Sequence, residues 1–216
     1  MAETEGTGNR PRLRGVFHLW AFFGALVAGI VLVSIAEGTR ARLAALVYVV
    51  ALAAMFGASA LYHRFPWRSE RLRAWARRLD HSTIFIFIAG TNTPFALLRF
   101  TGATPTIVLA AVWGGTVLGL VLNLLWIDAP KWLTALAYLS VGWVGVIAAP
   151  QLFTHVGIAG SVLLLVGGGL YTLGALIYAF RWPNPFPATF GFHELFHALV
   201  IAAAATQFVS VSLVVA

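Results

Sequence analysis

Long stretches of almost uncharged, apolar sequence constrain this chain more than any other feature. Each is about as long as the roughly 20 residues needed to cross the hydrocarbon core of a bilayer. Only 10% of the 216 residues are charged, whereas an ordinary soluble domain carries about 25%. The sequence therefore predicts an all-α membrane protein with a seven-transmembrane-helix bundle. The predicted spans are Gly15–Ala36, Leu43–Tyr62, Ser82–Leu98, Thr106–Ile127, Trp132–Ala149, Val156–Phe180 and Gly191–Ala216.

The connections between these spans are short and rich in proline, as at Arg64–Pro66 and Asp128–Pro130. They leave no room for a soluble domain. We expect residues 15–216 to form a single membrane domain, preceded by a short cytoplasmic tail at residues 1–14. The first apolar stretch is longer than the roughly 7–15 residues of a signal-peptide core. It is therefore expected to remain as a membrane anchor.

The basic residues predict the orientation of the bundle. Cytoplasmic loops of membrane proteins carry an excess of Lys and Arg. A cytoplasmic N-terminus places eleven of the 14 basic residues inside and leaves only Arg40, Arg42 and Arg99 outside. Seven spans then put the C-terminus outside. Because the basic residues lie in gaps between apolar runs, the net charge of +7 indicates topology and not a nucleic-acid partner.

Leu72, Trp75 and Leu79 recur at helical spacing within the basic loop that follows the second span. This pattern predicts either a short amphipathic helix at the cytoplasmic interface, with its arginines facing lipid phosphates, or a topology signal alone.

The few ionisable residues near the spans are candidates for function, because a membrane interior makes such groups costly. His63 ends the second span, Asp80 opens the third, and His193 and His197 open the seventh. The predicted topology brings all of them to the cytoplasmic end of the bundle. His193 and His197, four residues apart, share one helix face, as do Ser59 and His63.

Three imidazoles with one open position are a favoured ligand set for catalytic zinc. The spacing therefore predicts a Zn²⁺ site formed by His63, His193 and His197. Asp80 is suited to orient a ligand or to accept a proton from the bound water, and Ser59 to donate a hydrogen bond. The alternative is that these histidines only cap helix ends at the membrane surface. His18 and His81 are expected at the interface, outside the metal site.

Four motifs in order give the sequence a family resemblance. They are Ser59-Ala-Leu-Tyr-His63, Arg78-Leu-Asp80, Ile88-Ala-Gly-Thr-Asn-Thr-Pro94 and Phe192-His-Glu-Leu-Phe-His197. Together they resemble the bacterial hemolysin III family, which belongs with the progestin and adipoQ receptors and is related to alkaline ceramidases. The resemblance covers all seven predicted spans.

The resemblance implies a seven-helix bundle with zinc near the inner leaflet and suggests a bacterial inner (cell) membrane. It implies that His63, His193 and His197 are the zinc ligands, that Asp80 holds the zinc-bound water, and that Ser59 lies beside the site. Relatives often carry a histidine ten residues after the last ligand, where this chain has Gln207. That difference puts only an ancillary polar contact in doubt.

Four functions remain open at this stage. The first is a ceramidase-like zinc hydrolase of a lipid amide or ester, with membrane lipids as partners and a lipid substrate between the helices. A zinc-stabilised receptor or regulator without catalysis is the second. The third is a pore-forming cytolysin, which the family name suggests. His193-Glu-Leu-Phe-His197 also matches H-E-x-x-H, in which Glu194 would be the base of an intramembrane metalloprotease. The substrate-binding residues and the oligomeric state do not follow from the sequence.

Overall fold

The computed structural model describes residues 11–216, and over this part of the chain the protein is a bundle of seven helices. Most of the predicted tail, residues 1–14, lies outside the described residues. The helices match the predicted spans to within a few residues at most ends, but the third begins at Glu70 instead of Ser82, the fifth ends at Val156 instead of Ala149, and the second begins at Gly38 instead of Leu43. They are α1 (Val16–Ile35), α2 (Gly38–Arg64), α3 (Glu70–Leu98), α4 (Thr104–Leu125), α5 (Lys131–Val156), α6 (Ile158–Phe180) and α7 (Phe192–Val215).

Six of these helices, all but α3, are long and apolar enough to cross a membrane. α2 and α7 are the most buried of the six, whereas α1, α4, α5 and α6 each bury less than a third of their apolar span and expose large apolar side chains. Such exposure suits helices that contact lipid, because lipid tails are as apolar as leucine. The orientation of the termini remains a prediction.

The third helix is longer than the sequence predicts, because it begins at Glu70 and not at Ser82. Ser69 caps its N-terminus by accepting a hydrogen bond from the Leu72 amide, and Glu70 places an acidic group in the first turn, where the helix dipole favours it. The amphipathic pattern therefore belongs to the first turns of α3 and not to a separate helix. Its apolar stripe is exposed at Leu72, Trp75 and Leu79.

Two arginines at the start of α3 bind the neighbouring helix connection. Arg77 forms an ion pair with Asp128 at 2.8 Å and donates to the carbonyl of Ile127. Arg78 donates to the carbonyl of Leu124 at the end of α4. Arg77 and Arg78 thus bind protein groups at the end of α4, and contact between the arginines of this segment and lipid phosphates stays a prediction.

The fifth span is discontinuous. Its first part, Lys131–Gly142, is α-helical, and a 3₁₀ segment follows at Trp143–Ala148. A short α-helical turn, Ala149–Gln151, leads into a π-helical turn at Leu152–Val156. Irregular backbone at membrane depth is tolerated where it is buried in protein or lines a cavity. The local structure of α5 therefore points to a cavity beside it.

Candidate metal centre

His63, His193 and His197 come together at one end of the bundle, here called the histidine end. One ring nitrogen from each can be chosen so that all three lie within 4.8 Å of one another. The Nε2 atoms of His63 and His193 are 3.2 Å apart. His197 is 3% exposed, and the side chain of His63 is 5% exposed. The structure therefore brings together the three histidines that the sequence singles out as metal ligands.

Two helix ends position these rings. His193 and His197 are one turn apart at the start of α7, and their ring centroids are 4.6 Å apart. His63 lies in the last turn of α2. Gly15, just before α1, has φ 75°, and a Cβ there would lie 2.5 Å from that of His63. Glycine at this position lets the chain approach the α2 end of the site closely.

Asp80 and Ser59 lie beside the histidines, as the sequence predicts. A carboxylate oxygen of Asp80, Oδ2, is 3.7 Å from Nε2 of His63, and Asp80 is 9% exposed. Ser59 is 2% exposed and lines the same cavity, and its hydroxyl interacts with the Asp80 carboxylate. The hydroxyl and the carboxylate thus lie together beside the histidines.

Glu194, between the two histidines of α7, has a structural role in the described chain. It is fully buried, and one carboxylate oxygen accepts a hydrogen bond from the Arg14 guanidinium. The other accepts the backbone N–H of Gly191 at 2.9 Å, which caps α7. Asn184 accepts the neighbouring N–H of Phe192. Both oxygens of Glu194 are thus engaged outside the histidine cluster, although its spacing is that of H-E-x-x-H.

His18 lies in the site, and the expectation that it is interfacial is wrong. It is 3% exposed, and its ring stacks on that of His197 with centroids 3.8 Å apart and planes 7° apart. Neither ring nitrogen makes a hydrogen bond of ordinary geometry to a described residue. The position of His18 at the start of a span is typical of interfacial residues, so the sequence carries no signal for this packing.

A cavity of about 150 Å³ adjoins the histidines. Ser59, Asp80, His193 and His197 line its polar end, together with His18 and His81. His81 is therefore outside the three-histidine cluster but not at the interface as expected. Its Nδ1 lies 2.9 Å from the carbonyl oxygen of Arg77. Away from the histidines the walls are mainly apolar side chains of α3, α5, α6 and α7.

One wall of the cavity, between α5 and α6, borders the outside of the bundle. Trp143, Val146 and Leu165 line the cavity and are also 36–43% exposed on the protein surface. The Trp143 indole crosses this wall and donates a hydrogen bond to the Thr172 hydroxyl at 3.1 Å. Since the exposed side of a membrane helix faces lipid, this wall separates the cavity from lipid by a single layer of side chains.

The donor set of the histidine cluster fits a zinc ion. Three imidazole nitrogens suit zinc and other borderline divalent metals, and three protein ligands leave the open position typical of catalytic sites. The Ser59 hydroxyl and the Asp80 carboxylate supply polar groups beside the histidines. The cluster can hold a metal ion.

The fold and the site together define a class. The protein is a multi-pass helical membrane protein with a buried three-histidine cluster at the end of a largely apolar cavity. The family model described as "Haemolysin-III related" matches residues 7–208. The chain therefore belongs to the haemolysin-III related family, as the motifs indicate.

Curated relatives come from bacteria and animals. The chain is 33% identical over 130 residues to the hemolysin-3 homolog of Bacillus subtilis, a match that covers 60% of this chain and 58% of that protein. It is 33% identical over 131 residues to hemolysin-3 of Bacillus cereus, covering 60% of this chain and 57% of the relative. These matches thus span less than two thirds of either protein. The adiponectin receptor protein of Drosophila melanogaster is 28% identical over 214 residues, covering 89% of this chain and 47% of that protein.

Proposed function

We propose that this protein is an intramembrane zinc-dependent hydrolase that cleaves a lipid amide or ester. The observation that carries the proposal is the cavity, because it joins a buried three-histidine cluster and a carboxylate to an apolar volume that borders lipid. A buried metal-ligand set beside a carboxylate is the usual arrangement for metal-assisted hydrolysis. The substrate would be a membrane lipid that enters from the α5–α6 side.

The metal and the protein side chains would divide the chemistry. Zinc held by His63, His193 and His197 would polarise the scissile carbonyl and lower the pKa of water at the site. Asp80, 3.7 Å from His63, would accept the proton of the attacking water. It would then pass that proton to the leaving amine or alcohol. Water is consumed, and the products are a fatty acid and the amine or alcohol.

The remaining residues of the cavity would bind and orient the lipid. Ser59, which lines the cavity beside Asp80, would help to orient that carboxylate and the polar group of the substrate near the cleaved bond. The apolar walls would hold the acyl chain and exclude bulk water, which strengthens electrostatic interactions at the site. A bound lipid would thus lie between helices, with its polar group at the histidine end.

A structural zinc site in a membrane receptor or regulator is the second candidate. His63 on α2 and the two histidines of α7 would then fasten these helices together, and metal binding would be coupled to folding. The cavity beside the ligands favours hydrolysis, because a purely structural site needs no open volume. A metalloprotease with Glu194 as base is disfavoured, because both carboxylate oxygens of that residue are engaged elsewhere. A cytolytic pore rests on the names of relatives alone.

The Asp80→Asn variant tests the proposal. Purified protein in nanodiscs would be supplied with a set of lipid amides and esters, and the released fatty acid would be measured by mass spectrometry. We expect turnover to fall by at least about 100-fold, since general-base catalysis contributes about 10²–10⁴-fold, while bound zinc is retained.

Asp128→Asn is the matched control, because Asp128 is an exposed carboxylate on the α4–α5 connection. Its turnover should equal that of the wild type. Wild-type turnover in Asp80→Asn would contradict the role of Asp80. Zinc-loaded wild-type protein without fatty-acid release from any substrate of the set would favour the structural site.

A further inference from the structure

The cavity has a second polar region, far from the histidines. Gln207 on α7 and Tyr171 on α6 both line it. We call these two side chains the distal polar pair. Gln207 lies ten residues beyond His197 on the same helix, which corresponds to about 15 Å at 1.5 Å per residue. The two polar regions are therefore about 15 Å apart, with apolar walls between them.

Both members of the distal polar pair lack partners among the described residues. Gln207 is 7% exposed, and within residues 11–216 its amide makes no hydrogen bond. The Tyr171 hydroxyl is buried and also lacks a hydrogen-bond partner in the described chain. Buried polar groups are nearly always hydrogen-bonded, and an exception in a cavity calls for a bound water or ligand.

The local packing of α6 makes room for Gln207. Gly167 faces this residue, and a Cβ at position 167 would lie 2.7 Å from the Gln207 Cγ. Tyr171 follows Gly167 by one helical turn, so the two residues are on the same face of α6. Gln207 and Tyr171 therefore reach the cavity from facing helices.

The chemistry of this region selects a neutral polar group. An amide and a phenol each donate and accept hydrogen bonds. Among the described residues that line the cavity, Asp80 at the histidine end is the only Asp, Glu, Lys or Arg. A charged group at the distal polar pair would therefore have no counter-ion, whereas a hydroxyl or a carbonyl would be fully satisfied.

We propose that the distal polar pair is a binding subsite for a neutral hydroxyl or carbonyl group of the lipid ligand, about 15 Å from the group bound at the histidines. The ligand is thus an amphiphile with polar groups at both ends of an apolar segment. This inference rests on the proposed function in that it places the ligand's first polar group at the histidine cluster. It also requires a second polar group on the ligand, which a simple acyl lipid does not have.

A binding experiment tests the subsite without turnover. Wild-type protein in nanodiscs would be titrated with a fatty acid and with the ω-hydroxy fatty acid of the same chain length, at chain lengths that bracket the 15 Å separation. We expect the best ω-hydroxy acid to bind about tenfold more tightly than its unmodified partner, since an apolar chain end leaves the buried amide and phenol unpaired. Gln207→Met, which keeps the side-chain length, should abolish the preference. Tyr171→Phe should reduce it.

Ser212→Ala is the control, because the Ser212 hydroxyl bonds a carbonyl of its own helix, that of Phe208, and does not line the cavity. It should keep the full preference. Equal or tighter binding of the unmodified acid by the wild type would overturn the inference and leave the distal polar pair as a water site. Binding of neither acid by zinc-loaded wild type would also overturn it. If the protein prefers the ω-hydroxy acid but hydrolyses none of the lipids, the subsite is supported and only the proposed hydrolase activity is contradicted.

Discussion

The two sides of the cavity differ in how their backbone is built. On one side, α2, α3 and α7 are continuous helices of 27, 29 and 24 residues, and they carry the three histidines and Asp80. On the other side, α5 changes from α-helix to 3₁₀ and π-helical turns, and it packs beside the glycine-rich α6. Groups that must be placed accurately are best held by rigid elements. The comparison suggests that one side performs the chemistry and the other admits the ligand.

The largest effect we expect from a single change concerns the stability of the rigid side. Glu194→Ala breaks the ion pair with Arg14, whose side chain is only 12% exposed, and also removes the cap of α7. Breaking a buried ion pair costs about 3–5 kcal/mol. We expect a correspondingly large fall in the free energy of unfolding, measured by thermal or denaturant unfolding in detergent.

The control for this prediction is Asp128→Ala, which breaks the Arg77 ion pair, where the Asp128 side chain is 67% exposed. Exposed pairs contribute about 0–1 kcal/mol, so this variant should be nearly as stable as the wild type. Equal destabilisation by the two changes would contradict the view that the Arg14–Glu194 pair fastens α7 to the start of α1.

A smaller effect should follow from filling the cavity on the side of α6. Gly168 lines the cavity next to the Trp143 ring, whereas a Cβ at Gly169 would meet no other atom within 4 Å. Gly168→Leu should lower kcat/KM for the lipid substrate by about tenfold, which corresponds to about 1.4 kcal/mol of lost transition-state binding. Bound metal should stay at the wild-type level, as measured by mass spectrometry.

Gly169→Leu is the matched control on the adjacent, lipid-facing position. It should leave kcat/KM and metal content unchanged. If Gly168→Leu also removes the metal, the prediction that metal binding and lipid access depend on different sides of the cavity is contradicted.

The sequence predicts the histidine side of the cavity better than the α5–α6 side. His63, His193, His197 and Asp80 could be found because a helix places residues four apart on one face and topology fixes which span ends meet. The position of His18 could not, because its burial depends on how α1 packs against α7. The N-terminal extension of α3 could not be predicted either, because its arginines interrupt the apolar pattern by which a membrane-spanning helix is identified.

The irregular backbone of α5 was only partly visible in the sequence. Gly142, Gly145 and Pro150 mark a weak helix, but no local rule fixes where a 3₁₀ or π-helical turn begins. The distal polar pair was likewise hidden. The sequence singles out Gln207, but whether its amide finds a hydrogen-bond partner depends on which residues of α6 pack against it.

The smallest effect we expect concerns the indole that crosses the α5–α6 wall. Trp143→Phe removes the hydrogen bond to Thr172 but keeps an aromatic ring. Since one hydrogen bond contributes about 0.5–1.5 kcal/mol, we expect KM for the lipid to change by about threefold while kcat stays constant. Steady-state kinetics in nanodiscs would measure this. A large fall in kcat with unchanged KM would instead place Trp143 on the chemical side of the cavity.

Metal analysis would show directly whether three histidines on α2 and α7 hold one metal ion. Protein expressed with zinc and purified without chelators would be measured by inductively coupled plasma mass spectrometry, as wild type, His63→Ala and the double variant His193→Ala/His197→Ala. His155→Ala is the control, since this histidine lies on the exposed π-helical turn of α5. We expect about one zinc per chain in the wild type and the control, with loss of metal from both site variants. A wild type without metal, or one whose zinc survives in both site variants, would contradict this expectation.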